Sequence, residues 1–171
     1  MQNAYYELET EEEHHHGLPQ WRIYEIVTSA FDYLIEIKFF NKDFDFFVMI
    51  KQEGIKLKPY SAFKEENRKK ILSKYKKGLY KSFSKTEKMI CYNDKLDSFT
   101  QIVTILHEFG HYILGHTEQS HNGELEADCF AYATLLIVYL EEKNHFSEIL
   151  LRSGYKTKTF FHNFNTEQEV C

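Results

Sequence analysis

Apolar positions recur along this chain at two periods. Phe99, Ile102, Val103, Leu106, Phe109 and Ile113 fall three or four residues apart, the spacing of one helix face, so a helix is predicted from about Phe99 to Leu114. Ser98 with Gln101 three residues on reads as a capping box, and Gly115 stands where that helix should stop. Leu125 to Leu140 is apolar almost all round, as in a buried helix. Upstream, Trp21, Tyr24, Val27, Phe31, Leu34 and Ile35 keep helical spacing behind Pro19 and predict a helix from about Gln20 to Ile37. Phe44 to Gln52 suits a short buried helix or a strand, and Gly54 as a cap behind it favours the helix. The period then drops to two. Ile55 to Tyr60 alternates apolar residues with Lys, and Leu79 to Phe83 and Lys88 to Tyr92 read as two further strands around a polar turn. Lys64 to Lys85 carries nine Lys or Arg, and its first half, with Phe63, Ile71, Leu72 and Tyr75, predicts a helix with a basic, solvated outer face. Phe146 to Arg152 predicts a short last helix closed by Gly154.

The central helix carries the chemistry. His107 and His111 stand one turn apart on one face, so two imidazole nitrogens can meet one ion, which is half of a zinc site. Glu108 between them need not be a ligand, and its carboxylate can hold a water and take its proton. Zinc brings the pKa of water it binds down to about 7, so these residue types at this spacing spell metal-assisted hydrolysis. Gly110 costs about 1 kcal/mol against Ala in mid-helix and predicts close approach by another backbone.

A catalytic zinc takes three protein ligands and keeps one position open. The extended metzincin pattern would need Gly and His at the positions held by Leu114 and Thr117. His116 lies about 140° round the helix from His111 and past its cap, so it is expected to point elsewhere. In a thermolysin-like arrangement a second helix supplies a Glu, and an acid one turn on hydrogen-bonds a ligating His. Glu124 and Asp128 have that spacing. Glu126 lies about 200° from Glu124 on the same helix, so both cannot face the ion. Glu124 is favoured as the third ligand, with Glu126 the alternative and Asp128 orienting an imidazole from behind.

Several segments together resemble the ImmA/IrrE metallopeptidases of bacteria and their mobile elements. They are Gly54 to Ser61, Ile90 to Asp94, Thr104 to His116 and Glu124 to Ala131, in the family's order, over roughly residues 44 to 140. The resemblance implies one zinc ion on His107, His111 and Glu124 with Glu108 as general base. It also implies a thermolysin-like α+β core, in which a small mixed or antiparallel sheet packs on the His-bearing helix and a second, Glu-bearing helix. The implied activity is cytoplasmic endoproteolysis of a helix-turn-helix repressor or similar regulator. One departure stands out: where members of the family usually end the Glu-bearing helix with Pro, this chain runs Leu136-Ile137-Val138-Tyr139, so a longer helix is expected. In such sites an edge strand above the metal helix pairs with the substrate, and Lys88 to Tyr92 or its hairpin partner is the candidate.

Composition narrows the rest. With 171 residues, 43% of them hydrophobic, one core is affordable, and the net charge of -5 gives no reason to expect direct nucleic-acid binding. Residues 1–18, acidic and then His14-His15-His16, read as a flexible arm, 19–155 as one metallopeptidase domain, and 156–171 as a polar tail. Cys91, Cys129 and Cys171 lack paired spacing, which favours a reducing compartment. No apolar stretch is long enough for a membrane span and the start has no signal pattern, so a cytoplasmic protein is expected. The competing reading is an anti-repressor that binds its regulator without cutting it around a structural metal site. An intact Glu108 and the want of a fourth protein ligand weigh against it. For oxyanion stabilisation Tyr112, His116, His121, Tyr155 and His162 are all chemically able to donate, and none stands out.

Overall fold

The structure is a computed structural model that describes residues 17–37, 46–84 and 86–142. The predicted acidic arm up to residue 16, the last helix over Phe146–Arg152 and the tail lie outside the described residues. The chain runs α1 (Gln20–Glu36), α2 (Phe46–Gln52), β1 (Ile55–Pro59), a 3-10 turn (Tyr60–Ala62), α3 (Glu65–Lys74), β2 (Gly78–Ser82), β3 (Lys88–Tyr92), α4 (Ser98–Ile113) and α5 (His121–Glu142). The three strands form one mixed sheet in the order β1-β3-β2, with β1 parallel and β2 antiparallel to β3.

Helix α4 packs against both the sheet and α5, and α1 packs on α5 and touches α4 through Tyr33 and Phe109. Its apolar face supplies Ile105, Leu106 and Phe109 to a core completed by Ile26, Leu34, Ile50, Ile90, Phe130 and Ile137. Burying a side chain such as Phe109, fully shielded here, contributes about 1.5–3 kcal/mol. Helix α5 runs 22 residues without a Pro, which matches the longer helix expected. On α1 the predicted stripe is only half buried. Phe31, Leu34 and Ile35 face the core, but Trp21 and Tyr24 are exposed. The contacting face moves round the helix, and Ile26 and Ala30 take the place of Trp21 and Tyr24 in it.

The ends of α4 set the position of everything on it. Its N-cap is Asp97 rather than Ser98: Asp97 Oδ1 accepts the Thr100 N–H at 2.9 Å. Gln101, expected to close a capping box, instead donates to the Leu96 carbonyl at 2.6 Å. At the other end Gly115 takes φ 71°. Its N–H reaches the Tyr112 carbonyl at 3.2 Å, and the His116 N–H reaches that of His111 at 2.9 Å. This is a Schellman motif, and it folds the chain back so that residue 116 lies beside the last turn of α4.

Two glycines let the layers meet closely. A Cβ on Gly110 would lie 3.2 Å from the Ala127 carbonyl oxygen and 3.3 Å from its Cα, so the close approach expected at Gly110 is that of α5. A Cβ on Gly78 would lie 2.5 Å from the Thr104 methyl and 3.2 Å from the Cys91 carbonyl oxygen, so β2 rides directly on α4. Gly78→Ala is therefore expected to cost about 1–3 kcal/mol, as inserted methyl groups in packed sites do. A urea midpoint no lower than that of the wild type would contradict this account of the strand's seating.

Candidate metal centre

One turn of α4 separates His107 and His111, and their rings stand nearly perpendicular, with Nε2 atoms 3.2 Å apart. Glu124, in the first turn of α5, reaches across with Oε2 3.3 Å from His107 Nε2 and Oε1 3.6 Å from His111 Nε2. One donor atom from each of the three side chains lies within 4.8 Å of the others, and the three can hold a metal ion. The chemistry of the donor set fits a cation. Three electron-rich atoms converge, and both other imidazole nitrogens are already engaged. His107 Nδ1 donates to Asp128 Oδ1 at 2.7 Å, and His111 Nδ1 lies 2.8 Å from His116 Nδ1. Burial, and then the neighbouring His107, hold the His111 imidazole below its ordinary pKa, which favours the uncharged ring a metal needs.

Glu126 turns away from this cluster. Its carboxylate is gripped by the Arg22 guanidinium, with Nε 2.9 Å from Oε1, and its Oε2 lies 3.0 Å from His116 Nε2. The Arg22 hydrogen bond holds the Glu126 carboxyl down at about 2. His116 was expected to point elsewhere, but the Schellman turn swings it back against His111. No short-range pattern signals this, because a positive φ at Gly115 reverses the chain direction.

Glu108 is buried on the sheet side of α4, and its Oε2 accepts the Tyr80 N–H at 2.6 Å. Burial pushes its carboxyl up to about 7 against the opposing pull of His107 and of that N–H. The same bond identifies the strand beside the site. Because β3 is paired on both sides, the Lys88–Tyr92 segment has no free edge, whereas among the described residues the outer edge of its hairpin partner β2 is unpaired by any strand. Tyr80 turns its N–H away from β3, and by the strand's two-residue period Gly78 and Ser82 face the same open edge. An open cleft of about 740 Å³ runs along it, lined among others by Tyr80, Lys81, Glu108, His111, His116 and Glu124.

Of the oxyanion candidates, Tyr112 is occupied elsewhere: its hydroxyl accepts from Lys88 Nζ at 3.1 Å and donates to Glu53 at 3.2 Å. His116 is engaged as above, and His121 is exposed at the start of α5. Tyr155 and His162 lie outside the described residues. Gly78, Tyr80 and Arg22 escaped the sequence reading, since two act through the backbone and Arg22 is about a hundred residues from its partner.

Two imidazoles from one helix, an acid from the next and an open strand edge alongside make the α+β layout of a zincin-like metallopeptidase. Residues 64–144 match the family model described as Peptidase_M78, IrrE N-terminal-like domain, and this match supports assignment to the ImmA/IrrE metallopeptidases. No curated protein and no solved structure gives a match. The helices α1 and α2 and the strand β1 precede the matched residues. Among the described residues no helix is long and apolar enough to cross a membrane.

Proposed function

We propose that this chain is a zinc-dependent endopeptidase that hydrolyses a peptide bond in a specific cytoplasmic regulator, a helix-turn-helix repressor of a mobile element or stress response. The observation that carries the reading is the convergence of His107, His111 and Glu124 beside a buried Glu108 whose Oε2 is held by the Tyr80 N–H. His107, His111 and Glu124 would hold the ion, and Asp128 orients the His107 ring through its Nδ1–H. Zinc, when bound, supplies Lewis acidity that acidifies water and polarises a carbonyl.

The chain's own residues do the rest. Tyr80 fixes one carboxylate oxygen of Glu108, which leaves the other to take a proton from the attacking water and return it to the leaving amine. The free edge of β2 adds the substrate as a further strand, which presents an extended segment to the cleft. The repressor as substrate rests on family resemblance alone. The test is co-incubation of the full chain with the helix-turn-helix protein encoded beside it, with fragments scored by mass. One defined cut that disappears on chelation and returns with zinc is the expected result. An intact partner under zinc-replete conditions would sink the substrate assignment.

A further inference from the structure

The other side of the metal centre holds a connected set of side chains that the proposed chemistry does not use. We propose that Arg22, Glu126 and His116 form a positioning relay that holds His111 in its Nδ1–H tautomer, so that its Nε2 lone pair points into the metal centre. The inference rests on the reading of His111 as a ligand.

With His116 a neutral ring, hydrogen-bond polarity along this set of side chains leaves one assignment. A guanidinium only donates, and Arg22 grips both oxygens of Glu126, through Nε at 2.9 Å and through its terminal nitrogen. The Glu126 carboxylate only accepts, so its 3.0 Å contact with His116 requires the proton on His116 Nε2. His116 Nδ1 is then the bare nitrogen. Its 2.8 Å contact with His111 Nδ1 requires the proton on the His111 side. His111 is thereby left with a bare Nε2, the atom that faces Glu124 and His107 Nε2.

Each imidazole of the centre thus leans on an acid, but by different routes. His107 reaches Asp128 directly. His111 reaches Glu126 through one intervening ring, which the turn at Gly115 brings back into line. The far end of the relay belongs to α1 (Gln20–Glu36), outside the matched residues 64–144. The N-terminal helix is therefore part of the metal centre as well as a packing layer. Arg22 and Glu126 are also part-buried, with side chains 28% and 14% exposed, so water competes poorly for the bond between them.

The test uses full-length protein with 15N-labelled histidine. In the metal-free wild type, His111 should show a protonated Nδ1 and a bare Nε2. In His116→Phe that preference should be lost, and zinc affinity, measured by competition with a chromophoric chelator, should fall about 10–100-fold. Arg22→Gln, which changes a partly exposed side chain, should move both readouts in the same direction by less, and it decides the matter if His116→Phe does not fold. Arg22→Lys, which keeps the charge, should recover part of the loss. A wild type whose His111 proton sits on Nε2 would overturn the relay, as would folded variants in which tautomer and affinity both stay unchanged. If the wild type takes up no zinc yet shows the Nδ1–H tautomer and loses it in His116→Phe, the relay stands and the metallopeptidase reading fails.

Discussion

Glu108→Gln is expected to reduce cleavage by about 10²–10⁴-fold while zinc content stays that of the wild type. The amide oxygen of Gln can still accept the Tyr80 N–H that Glu108 accepts at 2.6 Å, so the strand keeps its seat and the change isolates proton transfer. Glu108 is also outside the His107, His111 and Glu124 group, which is why the metal should remain. Two measurements on one preparation check this: kcat/KM from mass-resolved fragments, and metal content by elemental analysis. The readings separate cleanly. A non-cleaving anti-repressor would keep its full effect on its partner after this substitution, whereas an endopeptidase would keep partner binding and lose the cut. Undiminished proteolysis in Glu108→Gln would remove Glu108 from the mechanism.

Glu124→Ala is expected to weaken zinc binding by more than the roughly 10–100-fold that outer-lying substitutions cost, because it removes one of the three donors that the described residues bring together. Glu126→Ala is the informative comparison. It should fall within that smaller range, since Glu126 acts on His111 only through His116. The Glu124 side chain is 48% exposed, so its loss should change stability by no more than about 0.5 kcal/mol, and reduced affinity would not reflect unfolding. Chelator competition with both variants gives the ranking. If Glu126→Ala lost zinc and Glu124→Ala kept it, the assignment of the third ligand would be reversed.

Both predictions depend on how closely α4 and α5 approach. The spacing of His107, Glu108 and His111 declares itself in any helix, because residues one turn apart share a face whatever lies opposite. Where Glu124 ends up is a different matter. Its carboxylate meets the two rings only because Gly110 admits the Ala127 backbone at van der Waals range. That gap belongs to a pair of helices and not to either one. The hairpin shows the same division. Alternation identified β2 and β3 as strands, but which of them is the edge follows from β1 pairing with β3 across an intervening helix and strand.

By itself the sequence determined the helices that carry the acidic and imidazole side chains, the stop at Gly115 and the motifs whose resemblance to a family implied the α+β class, since each is written in short-range periodicity, local turn chemistry or motif spacing. Only the tertiary structure decided which acid faces the imidazoles, that Asp97 and not Ser98 caps α4, that β2 holds the free edge, and that Arg22 and His116 stand behind His111. These are contacts between groups distant along the chain, or brought together by a reversal of its direction. No periodicity encodes them, because they exist only once the helices and the sheet have packed.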